Sequence, residues 1–500
     1  MNAIIAGLLY FLSFPPYDFW YLIFPALYLF YYSLLSSKKS FLSGFIFGCV
    51  AYGVILLGIQ SIGLEAWIPL TFLMGLMYGV FSKLFSYLNT KSGNNFYVSL
   101  AALAVFDLIR AYVPFGGFPW GFPSTVLLTG PIDSPLFFEV PLIFRNFGPT
   151  GSSLLLQSLP LVSALGVFSK SKPKNYLKDY SIFLLIIFTI FISNYVVNDY
   201  QQTQYETSEL NIVIVQGNSP CPGAKNRCNN ERQKIYDSHL AQTQTLDGNF
   251  DLVVWPESST GFNNDPGIHS RVQNDISTEA MRLDSYFLVG GDRPVQKQYF
   301  ENYGIFINKD GEVVDQYLKQ HPVPFGEYIP FRDNFPFKNL SLFGNKIDIN
   351  IGPNKGLLYT KDDIKLGIFI CYEIIFPALF SSKDRPDIIV NLTNDAWFGK
   401  TLGPYQHLSQ ARLRSIEEGL PLVRVANTGI SAAFDYKGIL VGKINLSEKG
   451  ILDILLPLKQ EATIYSRYRW KITTILIFIL ILCSVFLDQN HLRGQKANKF

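Results

Sequence analysis

The chain has 500 residues, of which only 16% are charged and 48% are apolar; an ordinary soluble domain carries ~25% charged residues. A net charge of +3 is too small to serve a nucleic-acid partner, whose binding rests on clustered cations, and no nucleic-acid motif occurs, so that class is set aside. The shortage of charge is uneven. Long apolar runs crowd the N-terminal part and the extreme C-terminus, while the stretch between them reads as ordinary water-soluble sequence.

A bilayer core needs about 20 mostly apolar residues as helix. In chain order the candidate spans are a short Asn2–Phe14 ending at Pro15-Pro16, then Phe19–Leu35, Phe41–Ile62, Ala66–Leu88, Phe96–Tyr112, Gly151–Phe168, Tyr180–Val197 and finally Trp470–Leu487. About eight spans follow by this measure. The N-terminus lacks the charged region of a cleavable signal peptide, so none is expected. Lys38, Lys39, Lys91, Lys170, Lys172, Lys174, Lys178, Arg493, Lys496 and Lys499 fall on one side if the termini are inside. Lys and Arg favour the cytoplasmic side. The large middle region then lies outside, although Arg467, Arg469 and Lys471 gather on the outer end of the last span. Intramembrane charges would mark a transport path. Asp107 and Arg110, three residues apart on one helix, can instead satisfy each other.

The expected division is a membrane part at 1–200, a linker at 201–210, an α/β catalytic domain at 211–457, and a final span with its tail at 458–500. Within the middle region, strands are expected at Ile212–Gln216, Leu252–Trp255, Tyr286–Gly290, Tyr303–Ile307, Lys365–Ile370, Ile388–Leu392, Leu422–Ala426 and Ala432–Tyr436. Helices are expected at Asn229–Gln244 and Gln406–Glu418. Lys309-Asp310-Gly311 and Tyr436-Lys437-Gly438 are hairpin turn signals. Near-continuous apolar strands interleaved with helices argue for layered α/β architecture.

Three segments deliver reactive side chains at or near strand ends. Leu252-Val253-Val254-Trp255-Pro256-Glu257 places a carboxylate past a proline; Tyr317-Leu318-Lys319 places a lysine before Gln320-His321-Pro322-Val323-Pro324-Phe325-Gly326-Glu327; Gly367-Ile368-Phe369-Ile370-Cys371 closes an apolar strand on a thiol. Each alone is more simply a surface Glu, a solvated Lys and a packed Cys. Together they supply what acyl transfer through a thioester needs: a nucleophile, a base to draw its proton, and a cation for the oxyanion. Cys49 and Cys483 sit in apolar runs. Cys221 and Cys228 flank a polar loop and can form a disulfide in an oxidising compartment. The five His are scattered without metal-ligand spacing, and no cofactor is expected.

The order Trp-Pro-Glu, Lys…Pro-Phe-Gly-Glu-Tyr and Ile-Cys-Tyr-Glu, followed by Asn391–Gly399 and Arg424–Ser431, resembles the nitrilase (carbon–nitrogen hydrolase) superfamily. Several preceding spans and one final span make the chain similar to its membrane branch, the apolipoprotein N-acyltransferases. Asp107-Leu108-Ile109-Arg110 with Gly117-Phe118-Pro119-Trp120 adds to that resemblance. The resemblance implies an α-β-β-α sandwich, with Glu257 as general base, Lys319 as oxyanion stabiliser and Cys371 as nucleophile. Glu327 would support the lysine and the base. Tyr372, Glu373, Trp397 and Phe398 would shape the pocket and its substrate-binding rim. It further implies a phospholipid acyl donor, a diacylated apolipoprotein acceptor, and a site in the bacterial inner membrane with the catalytic domain on the periplasmic side. The chain departs from the pattern after Asn218, where Ser219–Cys228 replaces a Lys-Trp segment, and over Leu127–Arg145; substrate entry is expected to differ there. The rivals are a membrane-bound amidase that uses water as acceptor, and a transporter or sensor with a lapsed enzyme domain.

Overall fold

The computed structural model describes the chain except residues 62, 130–139, 169–173, 200–207, 220–231, 262–263, 268–269, 297–298, 325, 329, 331–347, 354–356, 360–363, 381–383 and 498–500. Cys221 and Cys228, most of the 201–210 linker and the middle of Leu127–Arg145 therefore lie outside the described residues. The chain divides into two compact units. One comprises Met1–Leu56, Ile68–Gln204 and Thr463–Phe500; the other comprises Leu57–Trp67 and Tyr205–Ala462.

The first unit is helical: α1 (Asn2–Leu12), α2 (Ile23–Ser36), α3 (Ser40–Ile55), α4 (Leu64–Lys91), α5 (Phe96–Tyr112), α6 (Val140–Phe168), α7 (Lys174–Asp199), α11 (Ile464–Tyr468) and α12 (Trp470–Ala497). Among the described residues, Ala66–Lys91 and Val140–Phe168 are long and apolar enough to cross a bilayer by length and composition; Asn2–Leu12, Trp20–Ser36, Ser40–Ile55 and Trp470–Phe486 are shorter apolar helices. The expected span Phe41–Ile62 is a shorter helix, ending at Ile55. Its last residues form a separate 3-10 turn, Leu57–Ser61, which packs with the second unit. α6 is kinked at Gly148 (φ +62°, ψ −172°), next to Pro149, whose missing N–H cannot continue the ladder. Gly148 is required there because a Cβ would lie 2.1 Å from the Tyr465 ring.

Asp107 and Arg110 are buried in α5 and do more than neutralise each other. Arg110 Nη1 lies 3.5 Å from Asp107 Oδ1, and Nη2 donates to the Trp120 carbonyl at 2.8 Å. Nη1 donates to the Tyr78 hydroxyl at 3.1 Å. Gln157 Nε2 donates to Asp107 Oδ2 at 3.1 Å and accepts at Oε1 from the Tyr31 hydroxyl at 2.8 Å. Buried charge needs such partners. The pair thus anchors the Gly117–Gly121 loop to the helices.

The second unit is built on two sheets. Sheet one runs β13 (Gly450–Pro457), β1 (Glu209–Gln216), β2 (Leu252–Trp255), β3 (Tyr286–Gln296), β4 (Tyr299–Ile307), β5 (Val313–Leu318), with β6 (Asp348–Ile349) beside β4. Sheet two runs β12 (Leu440–Ile444), β11 (Ser431–Phe434), β10 (Leu422–Ala426), β9 (Ile388–Thr393), β8 (Lys365–Ile370), β7 (Leu357–Tyr359). β1–β2–β3 and β8–β9–β10 are parallel. The β4–β5 and β11–β12 pairs are the antiparallel hairpins signalled by their turns.

Strand alternation explains the layers. Ile212, Ile214, Leu252, Val254 and Leu288 of sheet one pack with Ile368, Ile370, Val390, Leu392 and Val423 of sheet two. The alternate residues Val213, Val215, Val253, Trp255 and Val289 pack instead with Tyr236 of α8 (Arg232–Thr243) and with Val272, Ile276 and Ala280 of α9 (Ser270–Arg282). Both faces are apolar, as strands covered on two sides require. α10 (Gly403–Glu418) packs on β10 and β11 of sheet two. The result is an α-β-β-α arrangement. Gly304 of β4 faces the middle layer, where a Cβ would come within 3.1 Å of Leu392 Cδ1.

Candidate active site

Glu257 follows β2, Lys319 follows β5 and Cys371 follows β8, so two come from the ends of sheet one and the third from sheet two. The fold brings them together. Glu257 is 3% exposed and Lys319 fully buried; Lys319 Nζ lies 3.6 Å from Glu257 Oε1. Cys371 is half-buried and sits at φ +53°. A non-glycine residue in that left-handed region is strained, and here the strain accompanies the sharp exit from β8 into the 3-10 turn Cys371–Ile375.

Each group is held from several sides. The Glu257 carboxylate accepts from Asn302 Nδ2 at 2.6 Å and from the Asn394 backbone N–H at 2.8 Å. Asn302 also accepts, at its carbonyl, the Lys319 backbone N–H at 2.9 Å, so one residue of β4 positions both the acid and the cation. Lys319 Nζ donates to Glu327 Oε1 at 2.6 Å, and Glu327 Oε2 accepts the Val323 N–H at 2.7 Å. Glu373 is fully buried and its carboxylate is saturated. Oε1 accepts the N–H groups of Gln320 at 2.6 Å and His321 at 2.9 Å; Oε2 accepts the Tyr317 hydroxyl at 2.8 Å and the Ile370 N–H at 2.7 Å. It therefore ties the strand end bearing Lys319 to the strand end bearing Cys371. Tyr372 packs its ring edge-on to Phe376 and is half-buried, as are Trp397 and Phe398.

A further buried network, whose segments Asn391–Gly399 and Arg424–Ser431 stood out in the sequence but whose contacts did not, supports the Cys371 turn. Arg424 of β10 donates from Nη2 to Asp395 Oδ2 at 2.6 Å and from Nη1 to Asn391 Oδ1 at 2.8 Å. His407 of α10 has Nδ1 2.9 Å from Asp395 Oδ1 and Nε2 3.2 Å from the Cys371 carbonyl. Asn391 Nδ2 donates to the Phe369 carbonyl at 3.1 Å. Polar residues inside apolar strands at Asn391 and Arg424 were the available signal, because buried polar groups require partners.

The electrostatics follow from burial. Burial pushes the Glu257 carboxyl up, and the Lys319 ammonium pulls it back. Burial and the Glu257 charge hold the Cys371 thiol above its ordinary range, with Lys319 opposing. Burial disfavours the Lys319 ammonium, but Glu327 and Glu257 outweigh it and keep the lysine charged. The thiol is thus held toward its protonated form and the lysine toward its charged form, with the Glu257 carboxylate between opposing influences.

A family model described as carbon–nitrogen hydrolase matches residues 214–464, half of the chain. The chain belongs to the carbon–nitrogen hydrolase family. Residues 6–136 match a second model, described as the apolipoprotein N-acyltransferase N-terminal domain. The chain is similar to the apolipoprotein N-acyltransferase of Rhizobium rhizogenes, 34% identical over 267 residues, 50% of each chain. It is also similar to that of Geobacter metallireducens, 28% identical over 506 residues, 94% of this chain and 91% of that one. The aligned stretch spans about half the length of the Rhizobium and Rickettsia relatives. Among solved structures it is similar to XC1258 of Xanthomonas campestris, a CN-hydrolase superfamily protein, at 19% identity and TM-score 0.36 over 50% of this chain and 90% of that chain.

Proposed function

We propose that this family member is an N-acyltransferase acting through a cysteine thioester. The carrying observation is the convergence of Glu257, Lys319 and Cys371 in a chain that also carries the N-terminal domain of apolipoprotein N-acyltransferases. In the first half-reaction Glu257 takes the thiol proton as sulfur attacks the ester carbonyl of a phospholipid. The oxyanion forms against Lys319, whose remaining ammonium protons are free of the Glu327 bond. Collapse expels the lysophospholipid oxygen, which takes the proton back from Glu257. In the second half the α-amino group of a diacylglyceryl-cysteine attacks the thioester, Glu257 accepts the amine proton, and it returns that proton to the departing Cys371 thiolate as the amide forms.

The same reading takes 1–200 and 458–500 as the membrane part with about eight spans. It takes 211–457 as the catalytic domain on the outer face of a bacterial inner membrane. The helices α1 to α7 and α12, coinciding with the apolar runs, support the spans. The lysine distribution supports the orientation. A pocket beside lipid favours an amine over water because a dry site suppresses hydrolysis.

The test supplies purified protein with phospholipid and a diacylated lipopeptide, and looks for N-acylated peptide. Release of free fatty acid without N-acyl product would establish the amidase-like hydrolase instead.

A further inference from the structure

The turn Leu57–Ser61, joining α3 to α4 in sequence, belongs to the same compact unit as the two sheets. It packs on the segment Phe398–Gly403. The Ser61 hydroxyl donates to the Phe398 carbonyl at 3.0 Å. Gly58 is buried so closely that a Cβ would lie 3.0 Å from Thr401 Oγ1 and 3.1 Å from the Gly403 Cα. Thr401 Oγ1 in turn donates to the Phe398 carbonyl at 2.9 Å and accepts the Gly403 N–H at 3.2 Å. The turn therefore grips both ends of a short loop.

That loop is bounded by groups that hold the reactive residues. On its N-terminal side the Asn394 N–H binds Glu257 and Asp395 binds Arg424 and His407. On its C-terminal side Gly403 opens α10, which carries His407 to the Cys371 carbonyl. Trp397 and Phe398, both half-exposed, lie within it.

We propose that Gly58 and Ser61 are positioning residues: they fix the Trp397–Gly403 rim over the catalytic pocket, and so set how much water reaches Cys371. A glycine is demanded at position 58 by the close backbone approach, not by its own dihedral freedom. The proposal rests on the acyl-transfer reading for its kinetic arm only.

The experiment measures two readouts on full-length protein: the alkylation rate of the Cys371 peptide by a water-soluble maleimide, followed by mass spectrometry, and the ratio of thioester hydrolysis to N-acylation. In Gly58→Val the branched side chain pushes the rim away. Alkylation is expected to rise and N-acylation to fall, each by about tenfold or more, since ~1 Å displacements at a site cost that much. Ser61→Ala should shift both the same way by less. The double variant Gly58→Cys/Thr401→Cys, built where a Cβ at position 58 would lie 3.0 Å from the Thr401 Oγ1, should show parental values when oxidised and Gly58→Val-like values when reduced. A Gly58→Val protein that unfolds at the parental temperature with unchanged alkylation overturns the proposal. So do identical oxidised and reduced forms of the double variant. If no parental N-acylation is seen, the acyl-transfer reading fails, while the alkylation rates still judge the rim.

Discussion

Glu373→Gln is the sharpest probe of how the two strand ends are held in register. The native carboxylate accepts four hydrogen bonds, from Gln320, His321, Tyr317 and Ile370. An amide keeps one accepting oxygen, which can still serve Gln320 and His321, while its NH2 can donate to the Tyr317 oxygen. The Ile370 N–H then faces another donor. Losing one charge-assisted bond costs about 1.5–3 kcal/mol and orphaning a buried donor about 1–3 kcal/mol. These overlap, so the net expectation is a loss of about 2–4 kcal/mol. Ile370 immediately precedes Cys371 and Gln320 immediately follows Lys319, so the slackening falls on both reactive groups at once. Thermal unfolding in detergent should show the lower stability, and a single-turnover assay with phospholipid should show slower acyl loading of Cys371. A Glu373→Gln protein with parental stability and parental loading would refute the bracing role.

Glu257→Gln should reduce acyl loading by about 10²–10⁴-fold, the usual worth of a general base, measured as a hydroxylamine-labile acyl mass on the Cys371 peptide. The same change removes a negative charge that holds the thiol up, so the pH profile of Cys371 alkylation should move to lower pH even as acylation is lost. Arg424→Met should cost about 3–5 kcal/mol, because it removes the guanidinium that pairs with the buried Asp395 carboxylate and leaves only His407 and Thr393 against it. Burial raises Asp395, but Arg424 and His407 outweigh it and hold it down at about 2. Its contribution is therefore present above the ordinary carboxylate value of ~3.9 and lost as pH falls through about 2, and acid unfolding of the variant should lack that component. Gly148→Ala should destabilise the helical unit, since the residue has φ +62° and its Cβ would strike Tyr465; an unchanged unfolding temperature would count against it.

Much of the two-sheet unit was legible because its strands are apolar on both faces and end in turn residues. β2, β8 and β10 coincide with the expected runs, and β3 and β4 extend them. β5 and β12 escaped notice because their residues are largely exposed, giving neither alternation nor an apolar run. α9 was readable and not read: Val272, Ile276 and Ala280 recur at helical spacing and all point inward. Glu257, Lys319 and Cys371 were visible because each punctuates a strand. Asn302 and His407 were not, since their partners lie far away in the chain, and Arg424 stood out only as the start of the Arg424–Ser431 segment. The turn at Leu57–Ser61 reads as membrane helix by hydropathy alone, and only its packing with the second unit separates it.

Glu257 and Lys319 are mounted on one slab of the sandwich and Cys371 on the other. The thickness of the hydrocarbon filling between the slabs then sets how far apart those side chains are held. Gly304 sits in that filling against Leu392, so a methyl group added there would press on the leucine side chains between the slabs while touching neither sulfur nor carboxylate. In this architecture the packing of ordinary core residues sets the separation of Glu257 and Lys319 from Cys371.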